Sequence, residues 1–93
     1  MVKTILITGA TVGIGKHLAK KLASEGHHVI LHGRNPQKLE LALQEVRAVS
    51  LRGRVSSYLA DFSELDDVYR FVEEIKREFQ SIDVLFNNAG LYA

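Results

Sequence analysis

The sequence contains no cysteine. That excludes disulfides, thiol nucleophiles and cysteine-ligated metals together. It has almost no excess charge: twelve basic against eleven acidic side chains leave a formal net charge of +1. Such a balance argues against a nucleic-acid binder and against polybasic membrane attachment. No apolar stretch is long enough for a signal peptide or a membrane helix, so the cytoplasm is the expected location. His17, His27, His28 and His32 have no partners at ligand spacing. They are read as surface or strand-end residues, with no metal site. There is also no linker, low-complexity tract or internal repeat. What remains is one small domain, residues 1–93, which should bury about 60–65% of its unfolded surface.

The informative stretch is Thr8-Gly9-Ala10-Thr11-Val12-Gly13-Ile14-Gly15. A β-branched apolar run, Thr4 to Ile7, precedes it. Ile14, Leu18 and Leu22, four apart, follow it. This pattern is strand, glycine-rich turn, helix. Gly9 lets the chain turn off the strand, Gly13 lets a pyrophosphate approach the backbone, and Gly15 lets the helix pack close to the strand. The free N–H groups that open the helix suit a phosphate. The alternative is a turn that binds nothing, against which the strand-to-helix context argues.

The rest of the chain repeats the alternation. Strands are expected at Lys3 to Thr8, His28 to His32, Val55 to Ala60 and Asp83 to Asn87. A first helix should run from about Val12 to Ser24, with Gly26 just past its end. Asn35 and Pro36 suit the cap and first position of a second helix, whose buried face is Leu39, Leu43, Val46 and Ser50. Ser63 suits the cap of a third helix, with Asp66 completing a near capping box. There, Leu65, Val68, Val72, Ile75 and Phe79 recur at buried spacing. Ser56 and Ser57 make the third strand less apolar, which fits an edge. Four strands and three helices in alternation imply an α/β fold with a parallel sheet. Right-handed crossovers and the glycine-rich cofactor motif then give a three-layer partial Rossmann arrangement, with strand order 3-2-1-4. Two helices should cover one face and the third helix the other.

Thr-Gly-Ala-x-x-Gly-Ile-Gly at Thr8 to Gly15, Asp61-Phe62 after the third strand, and Asn-Asn-Ala-Gly at Asn87 to Gly90 together resemble the short-chain dehydrogenase/reductase family. The resemblance runs end to end but covers only the first part of such an enzyme. It implies a dinucleotide cofactor, with the catalytic half of the family lying beyond Ala93.

The expected cofactor residues are Gly9, Ala10, Thr11, Val12, Gly13, Ile14, Gly15, Arg34, Asp61, Phe62, Asn88, Ala89 and Gly90. A carboxylate at the end of the second strand would select the unphosphorylated cofactor. Here His32-Gly33-Arg34-Asn35 offers none. Arg34 could instead pair bidentately with a 2′-phosphate, which favours NADP over NAD. The alternative is an exposed loop arginine. The family's other basic position, just before the second glycine, holds Val12. Asp61 could accept from the adenine amino group and Phe62 offer a backbone amide. Asp61 could equally serve the N-terminus of the third helix. By resemblance Asn87 ties strands together, while Asn88, Ala89 and Gly90 approach the ribose. The alternative there is an ordinary Asn/Gly turn.

The family's catalytic pair is a tyrosine with a lysine four residues later, whose ammonium lowers the phenol's pKa. Four after Tyr58 is Phe62, four after Tyr69 is Glu73, and nothing lies four after Tyr92. No pair exists, so the chain alone is expected to be inactive. Three readings follow: a cofactor-binding piece of a dehydrogenase/reductase, a non-catalytic nucleotide-binding or assembly protein, or one half of an enzyme completed by another chain. The fourth strand, Val84-Leu85-Phe86, reads as interior in a complete family member. An edge left bare there would favour a homodimer through the fourth strand and third helix.

Overall fold

A computed structural model describes residues 1–88; Ala89 and Gly90, both expected at the cofactor, lie outside the described residues. The elements follow in strict alternation: β1 (Thr4–Thr8), α1 (Gly13–Ser24), β2 (His28–Gly33), α2 (Pro36–Val49), β3 (Val55–Leu59), α3 (Leu65–Glu78) and β4 (Val84–Asn87). The four strands form one parallel sheet in the order β3-β2-β1-β4. As expected from its serines, β3 is an edge.

Alternation along the strands divides the core. Ile5, Ile7, Val29, Leu31 and Val55 face α1 and α2. Leu6, Ile30, Tyr58 and Ala60 face α3. β1 and β2 are therefore buried on both sides, which is why they read as nearly continuous apolar runs. Their C-terminal ends are level with those of the outer strands: Thr8 pairs with Asn87, and Gly33 with Leu59. The loops that leave β1, β2 and β3 therefore open on one end of the sheet.

Two helix ends form as the sequence leads one to expect. Asn35 Oδ1 accepts from the Lys38 amide at 3.0 Å, and Pro36 opens α2. Gly26, at φ 95°, stops α1. The cap expected at Ser63 does not form. Glu64 occupies that position without a side-chain bond, because Ser63 is held by Asp61.

Two helical faces differ from expectation. In α1 the residues against the sheet are Gly15, Ala19 and Ala23; Leu18 and Leu22 flank them, and Ile14 is 58% exposed. Small side chains let the helix axis approach the sheet, so the contact row lies one position beyond the large-residue row. In α3 the buried residues are Phe71 and Ile75, while Leu65 and Val72 are exposed. The aromatic ring of Phe71, packed between Tyr58 and the β2 end, sets the rotation of the helix. A second apolar row, Leu65, Val68 and Val72, hid it in the spacing.

Candidate functional site: the hollow at the strand ends

β1 ends at Thr8, and Gly9 turns the chain at φ 61°. Gly13, at φ 60°, starts α1. Both angles lie where a Cβ is strained. At Gly15 the constraint is space. A Cβ there would stand 2.6 Å from the Gly9 carbonyl oxygen and 2.7 Å from Asn88 Nδ2. The first turn of α1 is thus pressed onto the loop that leads into it. Its N-cap, Val12, supplies no side-chain bond, and the first turn has no acidic residue. The helix therefore presents N–H groups and a partial positive charge to an incoming anion.

The loop borders a hollow of about 730 Å³, a volume suited to a small-molecule ligand. Of the residues expected at the cofactor, Gly9, Thr11, Val12, Arg34, Asp61 and Phe62 line it. Ala10 and Gly15 are buried behind the loop, and Ile14 projects outward.

Seven further residues line it that were not assigned to the site: His32, Gly33, Asn35, Lys38, Ala60, Ser63 and Asn87. Lys38 lies in the first turn of α2, four residues after Arg34, so helical spacing could have found it. Of the two readings of His32, surface or strand end, the second holds: it stands at the end of β2 and is 4% exposed. Nothing in its local sequence marks it as buried. Gly33 was also passed over. A Cβ there would meet Thr11 Cγ2 at 2.5 Å, so the end of β2 must be bare for the loop to pass.

The charges are arranged asymmetrically. Arg34 and Lys38 bring positive charge to the mouth beside α2. Opposite, the Asp61 carboxylate accepts from the hydroxyl and amide of Ser63 at 2.7 and 3.0 Å. Those bonds, helped by Arg34, hold its pKa below the usual carboxylate value, so it is an ionised acceptor. Its own amide donates to Asp67 at the start of α3. Asp61 thus serves the helix start while presenting its carboxylate to the hollow.

The two asparagines divide their work. Thr8 Oγ1 donates to Asn87 Oδ1 at 3.0 Å, tying β1 to β4. Asn88 is fully buried, and its Nδ2 donates to the Gly9 carbonyl at 2.8 Å. That bond fixes the back of the glycine loop. Its Oδ1 has no hydrogen-bond partner among the described residues.

No tyrosine in the described residues is poised for proton transfer. Tyr58 donates to Glu78 Oε2 at 2.6 Å. Burial, that bond and the charges of Glu78 and Glu74 push its pKa well above the ordinary phenol value. Tyr69 is 63% exposed, and Tyr92 lies outside the described residues. No cluster of potential metal ligands occurs among the described residues.

A family model described as short chain dehydrogenase matches residues 3–93. Retinol dehydrogenase 13 of Mus musculus is 37% identical over 89 residues, covering 96% of this chain and 27% of its own length. The WW domain-containing oxidoreductase of Drosophila melanogaster is 41% identical over 93 residues, covering 98% of this chain and 23% of its own. A short-chain type dehydrogenase/reductase from Mycobacterium ulcerans superposes with a TM-score of 0.82 at 31% identity, over 92% of this chain and 32% of that one. A metagenomic short-chain oxidoreductase, solved in complex with NADP, gives a TM-score of 0.79 at 32% identity, over 89% of this chain and 37% of that one. The chain thus spans 23–27% of the length of these two curated relatives. Glycine loop, sheet order and family match agree: the chain belongs to the short-chain dehydrogenase/reductase family.

Proposed function

We propose that the chain is the NADP(H)-binding portion of an oxidoreductase that transfers hydride between NADP(H) and a carbonyl or alcohol. The observation that carries this is the mouth of the hollow. Arg34 stands at the end of β2, where a carboxylate would favour NAD, and Lys38 lies beside it. Among the described residues Arg34 forms no ion pair that would neutralise it. The adenosine half of the cofactor fits between this pair and Asp61-Phe62. The pyrophosphate fits over Gly9 to Gly15, against the start of α1. Asn88, Ala89 and Gly90 are assigned to the ribose side. The metagenomic relative solved with NADP supports the same preference.

Calorimetric titration with NADPH and NADH tests this. NADPH should bind at least about tenfold tighter, a difference of about 1.4 kcal/mol. Equal affinities would remove the preference. The same samples should show no NADPH oxidation with carbonyl substrates unless another chain supplies a tyrosine-lysine pair. Turnover by the chain alone would overturn that part. Cytoplasmic location belongs to the same reading, and fractionation with membranes would contradict it.

A bare edge favours self-association. The outer side of β4 has no strand partner among the described residues. Leu85, which pairs with Leu6 and so lies on the α3 face, is 60% exposed. We infer a two-fold dimer that pairs two copies of β4 antiparallel, with both α3 helices near the axis. Light scattering should report a dimer at high micromolar concentration, weakened by Leu85→Pro. A folded wild-type monomer at that concentration would contradict it.

A further inference from the structure

The imidazole of His32 sits behind the rim of the hollow with both nitrogens engaged. Nδ1 lies 3.1 Å from the Gly9 amide nitrogen, a donor that cannot become an acceptor. Nε2 lies 2.8 Å from the Ala60 carbonyl oxygen, an acceptor that cannot become a donor. One form of the ring satisfies both: neutral, with its proton on Nε2. Phe62 stacks on the ring at 3.9 Å and 5°, and Phe71 meets it edge-on at 5.5 Å. The ring therefore joins the first residue of the glycine loop to the residue after β3, across the end of β2. Two backbone bonds run beside it, from the Ala10 amide to the His32 carbonyl at 2.9 Å and from the Ala60 amide to the Gly33 carbonyl at 3.0 Å.

We propose that His32 is a positioning residue for the cofactor: neutral, it holds the glycine loop in its binding shape; protonated, it releases the loop and weakens NADP(H) binding. The affinity half of this rests on the cofactor reading above. A proton on Nδ1 would set two donors face to face and strip the Gly9 amide of its acceptor. Burial holds the pKa of the imidazole below its ordinary value, while the bond to Ala60 pulls the other way. The ring is thus neutral at pH 7 and takes up a proton only on acidification.

The charges around the ring come from two sides. Gly9 and Ala10 contribute none. The β2–α2 connection brings Arg34, with Lys38 beyond it. The β3–α3 side brings Asp61, Asp67 and Arg70. The Asp61 carboxyl is held low chiefly by the Ser63 hydroxyl, and that of Asp67 by the Asp61 amide and then by Arg70.

Glutamine at this position offers an amide oxygen and an NH₂ group, an acceptor and a donor that do not titrate. The experiment compares NADPH affinity of the wild-type chain and His32→Gln at neutral pH and at about pH 5, by calorimetry. In parallel, NMR follows the ring nitrogens of His32 and the Gly9 amide. The 2′-phosphate of the ligand itself titrates near pH 6, so the reading is the difference between the two proteins. Wild type should lose about threefold or more in affinity beyond any loss in His32→Gln. The Gly9 amide should follow the His32 titration, with the neutral ring protonated at Nε2. Equal losses in both proteins, a ring protonated at Nδ1, or a Gly9 amide indifferent to the ring would each overturn the proposal. If His32→Gln does not fold, the wild-type Gly9 amide decides. A chain that binds neither NADPH nor NADH at any pH, while Gly9 still follows the ring, would overturn the cofactor reading and uphold the hold of His32 on the loop.

Discussion

Truncating Phe71 to alanine is expected to destabilise the chain by about 3–5 kcal/mol, the range for removing a buried aromatic ring and leaving a cavity. Phe71 is 6% exposed in the smaller of the two core clusters, with Leu6, Ile30, Tyr58, Ala60 and Ile75. Its ring meets Phe62 at 5.3 Å and Tyr58 at 6.1 Å, besides His32. α3 buries only Phe71 and Ile75, so this one side chain carries much of the attachment of the helix. A domain of this size has a total stability of only about 5–15 kcal/mol. Each kilocalorie should shift the melting midpoint by about 4–8 °C. Leu65→Ala, by contrast, removes a side chain that is 65% exposed and should cost no more than about 0.5 kcal/mol. Urea unfolding of the two variants separates them. A Phe71→Ala loss below that of Leu65→Ala would mean that α3 is held by other contacts.

Arg34→Ala should reduce the preference for NADPH over NADH by about 1.5–3 kcal/mol, the worth of a charge-assisted contact, or roughly 10- to 150-fold. The loss should fall on NADPH, because NADH has no 2′-phosphate for the guanidinium to meet. Arg34 is on the rim and partly screened by solvent, which argues for the lower part of the range. Lys38, on the same rim, should retain part of the preference. An unchanged NADPH-to-NADH ratio would reduce Arg34 to a surface residue.

Both features differ in how far the sequence disclosed them. The place of Arg34 on the rim was legible because strand ends are set by short local patterns. The same holds for Asn35 and Pro36, whose cap forms as the local rules require. Sheet order followed from right-handed crossovers together with the glycine-rich motif at the first turn, without knowledge of any side-chain contact. Phe71 was not legible. Its helix carries two apolar rows, and which one faces the sheet depends on the ring stack contributed by β2 and β3. Ile14 misled for the opposite reason. A large apolar residue at helical spacing looks buried, yet the helix approaches the sheet on Gly15, Ala19 and Ala23.

At the site the boundary is the same. The glycine loop and Asp61 lie in contiguous motifs. The ring of His32 gains its role from Gly9 and Ala60, which are 23 and 28 residues away in the chain. The capping box at Ser63 failed because Asp61, two residues earlier, holds the serine more directly. A rule that looks forward from the cap does not see that competitor.

The central claim is that the hollow between the glycine loop, the β2 end and the β3 end holds a dinucleotide. Titrating the isotopically labelled chain with NADPH and following its backbone amides tests this most directly. The largest shifts should fall on Gly9 to Gly15, on Gly33 to Lys38 and on Asp61 to Ser63, leaving the outer face of α3 and the free edge of β4 unmoved. Saturable shifts centred on α3 or β4, or none at millimolar NADPH, would contradict the account.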